Sequence, residues 1–196
     1  MRKKFIAKAS RWLHIYLSMI SFIIVLFFSV TGLTLNHADY FQKNTLITQN
    51  KGSVNKNWVN ATDTLKIQKL AIVEYFRTKY KAKGAVADFR ISDNEISFSF
   101  KAPGYAADAF INRSDATYNL TETNQGFSGF INDLHKGRDT GKTWLWIIDI
   151  SAILMTLVSV SGLILLLFLK KKRLSGIIVL ILGFVMVYIT YHYWGQ

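Results

Sequence analysis

Three stretches of the chain are almost free of charge, and between the first two lies a segment whose apolar residues recur at short periods. Leu13–Leu35 runs for 23 residues without an acid or a base. An α-helix of that length covers roughly 34 Å at about 1.5 Å per residue, enough to cross a bilayer. Trp144–Leu169 holds one charge in 26 residues, Asp149 near its start, and Gly176–Trp194 holds none in 19. The pattern predicts three transmembrane helices, at residues 13–35, 144–169 and 176–194.

Residues 36–143 have a different texture. Thr62 is placed to cap a helix whose Leu65, Ile72, Val73, Phe76 and Tyr80 fall on one stripe at the helical period, and Gly84 is expected to stop it. Four short alternating runs follow, Val86–Ile91, Glu95–Lys101, Tyr105–Asn112 and Ala116–Glu122, separated by turn signals at Ser92-Asp-Asn, Ala102-Pro-Gly and Arg113-Ser-Asp. Phe127, Phe130, Ile131 and Leu134 mark a short amphipathic helix leading back to the membrane, while Asn36–Asn60 reads as an irregular connection. The expected fold class is a membrane protein of three transmembrane α-helices with an inserted extracytoplasmic α+β domain, one helix packed on a small antiparallel sheet.

Charge turns this pattern into a topology. The 196 residues carry a formal net charge of +12 from 24 bases and 12 acids. Five bases precede residue 12 and four more form Lys170–Arg173, whereas every acid lies between Asp39 and Asp149, so the two short clusters supply nine of the net charges. No broad basic surface remains for a nucleic acid. The first span is too long for a signal core and no small-x-small cleavage site precedes Asn36, so it reads as an uncleaved anchor. Positive-inside counting puts residues 1–12 and 170–175 in the cytoplasm, and residues 36–143 and 195–196 on the opposite side. Tyr188, Tyr191, Tyr193 and Trp194 then form an aromatic belt at that far face. The chain has no cysteine, which removes disulfides, iron–sulfur clusters, thiolate zinc sites, thiol nucleophiles and thioether-attached haem.

Several short motifs follow one another in a telling order: Arg11-Trp-Leu-His14 opening the first span, Thr31-Gly-Leu closing it, the helix-plus-strands loop, Asn132-Asp-Leu-His135-Lys-Gly before the second span and Ser161-Gly-Leu inside it. With these motifs the chain resembles the PepSY-associated transmembrane helix family of the bacterial inner membrane, in its short three-span form. The resemblance implies an exported PepSY-like domain between helices. Some members of the family are ferric-siderophore reductases that hold b-type haem between transmembrane histidines.

The chain has four histidines. His14 and His37 lie at opposite ends of the first span, roughly 34 Å apart, and cannot share a metal. On the topology above, His37, His135 and His192 all sit at extracytoplasmic helix ends. Two of the three are candidate axial ligands of haem b, which needs two neutral imidazoles on facing helices and an apolar slot. Phe27, Phe28, Trp144, Trp146, Tyr188 and Tyr191 are candidates to line it. His135 is the first choice, with His37 or His192 opposite; His14 reads as structural. Three histidines would alternatively suit zinc, copper or non-haem iron, and histidines at a membrane interface also serve simply as helix ends, as Lys136-Gly137 after His135 suggests. Asp149, an intramembrane carboxylate, is a candidate to orient a ligating histidine or carry a proton; pairing with Arg138 or Lys142 is the plainer reading. The near-repeat Ser29-Val-Thr-Gly-Leu-Thr-Leu35 and Ser159-Val-Ser-Gly-Leu-Ile-Leu165 suggests close helix packing through Ser29, Gly32, Ser159 and Gly162.

Two functions follow as expectations. One is a haem-dependent membrane electron-transfer protein passing electrons to an extracytoplasmic acceptor such as ferric siderophore iron. No nicotinamide or flavin motif is present, so its donor would be a quinol or another membrane protein, and a homodimer or larger complex would be compatible. The other is a non-enzymatic module, anchored in lipid, whose sheet edges take an extended segment of an envelope protein or uptake-complex partner.

Overall fold

In a computed structural model that describes residues 2–41, 45–60 and 66–195, these residues form seven helices and five strands in two compact units. One unit holds the described residues up to Leu26 together with those from Asp149 onward; the other runs from Phe27 to Ile148.

The inserted domain lies in the second unit. Its core is a five-stranded antiparallel sheet in the order β1-β5-β4-β3-β2, with β1 at Leu46–Ser53, β2 at Ala85–Ile91, β3 at Glu95–Ala102, β4 at Tyr105–Asn112 and β5 at Thr117–Asn124. The register explains how one face closes. Phe98 and Phe100 stand opposite Ala109 and Ala107, so large side chains meet small ones and leave a trough. Into that trough goes α4, Lys69–Tyr80, which buries Ile72, Val73 and Phe76; the Phe76 ring lies 5.3 Å from Phe98 and 4.8 Å from Tyr118. Lys79 fastens the exposed side of the helix, donating to the phenols of Tyr75 at 2.8 Å and Tyr118 at 2.9 Å. These bonds raise the Lys79 amine above its ordinary pKa.

Three sequence expectations need correction. The segment before Asn60 is not irregular: it holds α2 (Ala38–Phe41), strand β1 and α3 (Lys56–Val59), whose Asn55 cap accepts from Asn57 N–H at 3.0 Å. β1 is an edge strand with no fully buried residue, so it has no reason to alternate apolar and polar positions. Second, α4 ends before Gly84: Lys81 takes the left-handed conformation that closes it, and Gly84, with φ of +87°, serves the turn into β2. Third, the last strand starts at Thr117 and reaches Asn124. Thr62 and Leu65 lie outside the described residues.

Between β3 and β4 the turn Ala102-Pro-Gly-Tyr105 does more than reverse the chain. Gly104 has φ of +68°, and a Cβ there would come 2.6 Å from Phe130 N on α5, Gly126–Lys136. That close approach lets Gly104 N–H donate to the buried Asp133 carboxylate at 2.8 Å, whose other oxygen takes Arg138 at 2.8 Å. The sheet is thereby fixed to α5. Gly137, left-handed with φ of 69°, then ends α5, and Arg138 N–H returns to Asp133 O at 2.9 Å.

The long helices are α1 (Arg2–Asn36), α6 (Lys142–Phe168) and α7 (Arg173–Trp194), each long and apolar enough to cross a membrane. Their burial is inverted relative to a soluble bundle. Ser10, Ser21, Ser151 and Ser161 are buried, whereas Ile23, Leu26, Ile153 and Leu157 are exposed. Small polar residues face neighbouring helices and branched apolar ones face outward, as lipid demands. Along α7 no described residue is buried.

Candidate functional site: two histidine clasps

His135 occupies the last turn of α5, one residue before Lys136 ends the helix. Its Nδ1 lies 2.7 Å from Thr31 Oγ1 on α1, and Thr31 Oγ1 itself lies 2.7 Å from Phe27 O. A carbonyl only accepts, and a hydroxyl has one proton. In one arrangement Thr31 donates to Phe27 O and accepts from His135 Nδ1–H. In that tautomer Nε2 is the ring's acceptor, and it has no hydrogen-bond partner among the described residues. Phe28 meets the ring edge-on at 5.2 Å, Phe27 packs on Trp144 at 6.2 Å, and Trp144 Nε1–H donates to Leu134 O at 2.8 Å. Three of the six aromatic residues expected around His135 thus gather there. Trp146, on the same helix as Trp144, is exposed.

A polar rung lies one helical turn back. Asn132 is buried, and its Oδ1 accepts from Thr34 Oγ1–H at 2.9 Å. The Asn132 Nδ2 end of the carboxamide is buried without a partner among the described residues.

The other unit holds a second clasp of the same design. His14 Nδ1 on α1 lies 3.2 Å from Val158 O and 3.1 Å from Ser161 Oγ on α6, and Ser161 Oγ–H donates to Val158 O at 2.8 Å. Val158 O can only accept, so this contact is a hydrogen bond in the Nδ1–H tautomer of His14, and Nε2 has no hydrogen-bond partner among the described residues. Ser10 Oγ–H closes the rung by donating to Ser161 O at 3.0 Å. A glycine follows the hydroxyl in both places. A Cβ on Gly32 would lie 3.5 Å from His135 Cε1, and one on Gly162 would lie 2.9 Å from His14 Cε1.

The near-repeat acquires a different meaning here. Ser29 and Ser159 are exposed; the buried members are Thr31 and Ser161, and each receives a histidine from another helix. Thr31, Ser161, Thr34 and Asn132 were not identifiable as site residues from sequence. The available signal was a hydroxyl before Gly-Leu, repeated once, in a chain with two Leu-His pairs.

The remaining candidates are placed more openly. His37 follows the end of α1, exposed, its ring 6.1 Å from Tyr40. His192 is exposed on α7, stacked on Tyr188 at 6.0 Å and meeting Tyr193 at 5.2 Å. Asp149 is exposed on α6, while Arg138 is engaged with Asp133. The orienting bonds on His135 and His14 come from Thr31, Ser161 and Val158, not from a carboxylate. Among the described residues no three His, Asp or Glu side chains group to hold a metal ion.

A family model described as PepSY_TM-like matches residues 8–194, covering both clasps and the whole inserted domain. No curated protein and no solved structure matches the chain.

Proposed function

From the premise that the chain belongs to the PepSY_TM-like family and is a multi-pass membrane protein, we propose that it is an electron-transfer protein of the bacterial inner membrane. In this reading His135 would hold b-type haem through Nε2, and the group would supply electrons to an extracytoplasmic acceptor of the ferric-siderophore class. The observation that carries the reading is the 2.7 Å contact between His135 Nδ1 and Thr31 Oγ1, which orients the ring and leaves Nε2 without a partner among the described residues. Bound haem supplies a one-electron carrier.

The chain's own residues have separate tasks. Thr31 holds the tautomer and the ring plane, as the outer partners of metal-bound histidines do. Phe28 and the Phe27–Trp144 pair provide apolar walls that keep water from the imidazole. Asn132, one turn away, has a buried amide end to give to a polar substituent. His37 or His192 is the proposed opposing ligand. His14, prepared as His135 is, joins the candidates on equal geometry. The basic clusters face the cytoplasm, and a quinol or a membrane partner is the proposed donor.

The protein purified in detergent from haem-replete cells should show a reduced-minus-oxidised spectrum with split bands after dithionite, lost in His135→Ala. A colourless wild-type protein would overturn the reading; if it also held an envelope partner tightly, that would favour the module without redox chemistry.

A further inference from the structure

The exposed apolar side chains of the inserted domain are concentrated at one place. Tyr40 and Phe41 end α2, Leu46 and Ile47 open β1, and Phe127 and Phe130 lie on α5; Tyr40, Leu46, Ile47 and Phe127 are 74%, 69%, 65% and 77% exposed. Hydrogen bonds draw the three elements together. Ser128 Oγ–H donates to Phe41 O at 2.7 Å, and Leu46 pairs with Asn124, whose Oδ1 accepts from Gly126 N–H at 2.9 Å where α5 begins. Away from this cluster Leu70 and Phe110 are exposed singly.

A cluster of exposed apolar side chains needs a cover, and its position says which. Tyr40 comes four residues after Asn36, where membrane-length helix α1 ends. Helix α5, which carries Phe127 and Phe130, is bonded to the last turns of α1 through His135–Thr31 at 2.7 Å and Asn132–Thr34 at 2.9 Å. The headgroup zone extends roughly 5–7 Å beyond the hydrocarbon on each side, and aromatic side chains favour it. We infer that Tyr40, Phe41, Leu46, Ile47, Phe127 and Phe130 form a lipid-contacting foot. It sits in the headgroup–acyl boundary beside the exit of α1 and holds the inserted domain against the bilayer. This contact is independent of any haem.

The absence of cysteine makes the test direct, because one introduced thiol takes one label. The full chain carrying Phe127→Cys or, separately, Ile47→Cys is labelled with an environment-sensitive NBD fluorophore and placed in nanodiscs of phosphatidylethanolamine and phosphatidylglycerol. Phe110→Cys, on the sheet face away from α4, is the reference. Lipid bearing a nitroxide high on its acyl chain should quench the labels at 127 and 47 at least about twofold more than the reference, while aqueous iodide quenches them less. Equal quenching at all three positions would overturn the inference. Shielding from both iodide and nitroxide lipid would also overturn it, showing that protein, a second copy or a partner, covers the patch.

Discussion

The Nδ1–H tautomer proposed for His135 rests on Thr31 donating to Phe27 O while accepting at the same oxygen. Thr31→Val keeps the shape of the side chain and removes the oxygen, so it should cost about 1 kcal/mol and release the ring to a mixture of tautomers. Nitrogen-15 NMR of labelled histidine reads this directly: one imidazole should leave the Nδ1–H pattern in Thr31→Val and keep it in Thr31→Ser. An unchanged spectrum would refute the assignment. The two glycines separate the clasps further. Gly162→Ala brings a Cβ to 2.9 Å from His14 Cε1, so the ring must move and its bonds stretch, at a cost of about 1–3 kcal/mol. Gly32→Ala meets His135 at 3.5 Å, an ordinary contact, and a helical alanine should leave stability level or raise it by up to about 1 kcal/mol. Thermal unfolding of both variants in one detergent tests the contrast, and equal losses would contradict it. The histidines were visible in the sequence as residues apart from their surroundings. Their partners were not, because a serine or threonine in an apolar helix usually bonds its own backbone, and only the fold shows which hydroxyl also meets a ring.

Strands with one buried face announced themselves through alternation, and the observed β4 has the bounds its pattern predicts. β1 escaped notice because Leu46–Ser53 is an edge, held mainly by backbone pairing with β5, and backbone pairing leaves no periodic trace in side chains. The tie between hairpin and α5 was equally silent, since it joins Gly104 to Asp133 across 29 positions. Its strength can be measured. Gly104→Ala must accommodate both the left-handed backbone and a collision with Phe130 N, and should cost about 2 kcal/mol or more. Asp133→Asn keeps an acceptor for Gly104 N–H but neutralises the partner of the exposed Arg138, and should cost about 1 kcal/mol. Hydrogen exchange at the α5 amides should follow that order, and the reverse order would show that the ion pair rather than the turn secures the helix.

For the molecule as a whole, composition spoke most clearly. Three stretches with at most one charge became three membrane-length helices, and Ser10 and Ser161 rather than leucines meet where α1 and α6 touch. The distribution of bases makes the orientation testable: a reporter fused after Gln196 should be active outside the cytoplasm, and one placed in the Lys170–Arg173 turn should be active inside. The opposite result would put His192 and His135 on different sides and remove that pair from consideration. The docked Pro103-Gly104 turn has a consequence for how such a chain can change length. An insertion beside Gly104 would push the hairpin off α5, so growth of the domain by descent or by design is steered away from this turn.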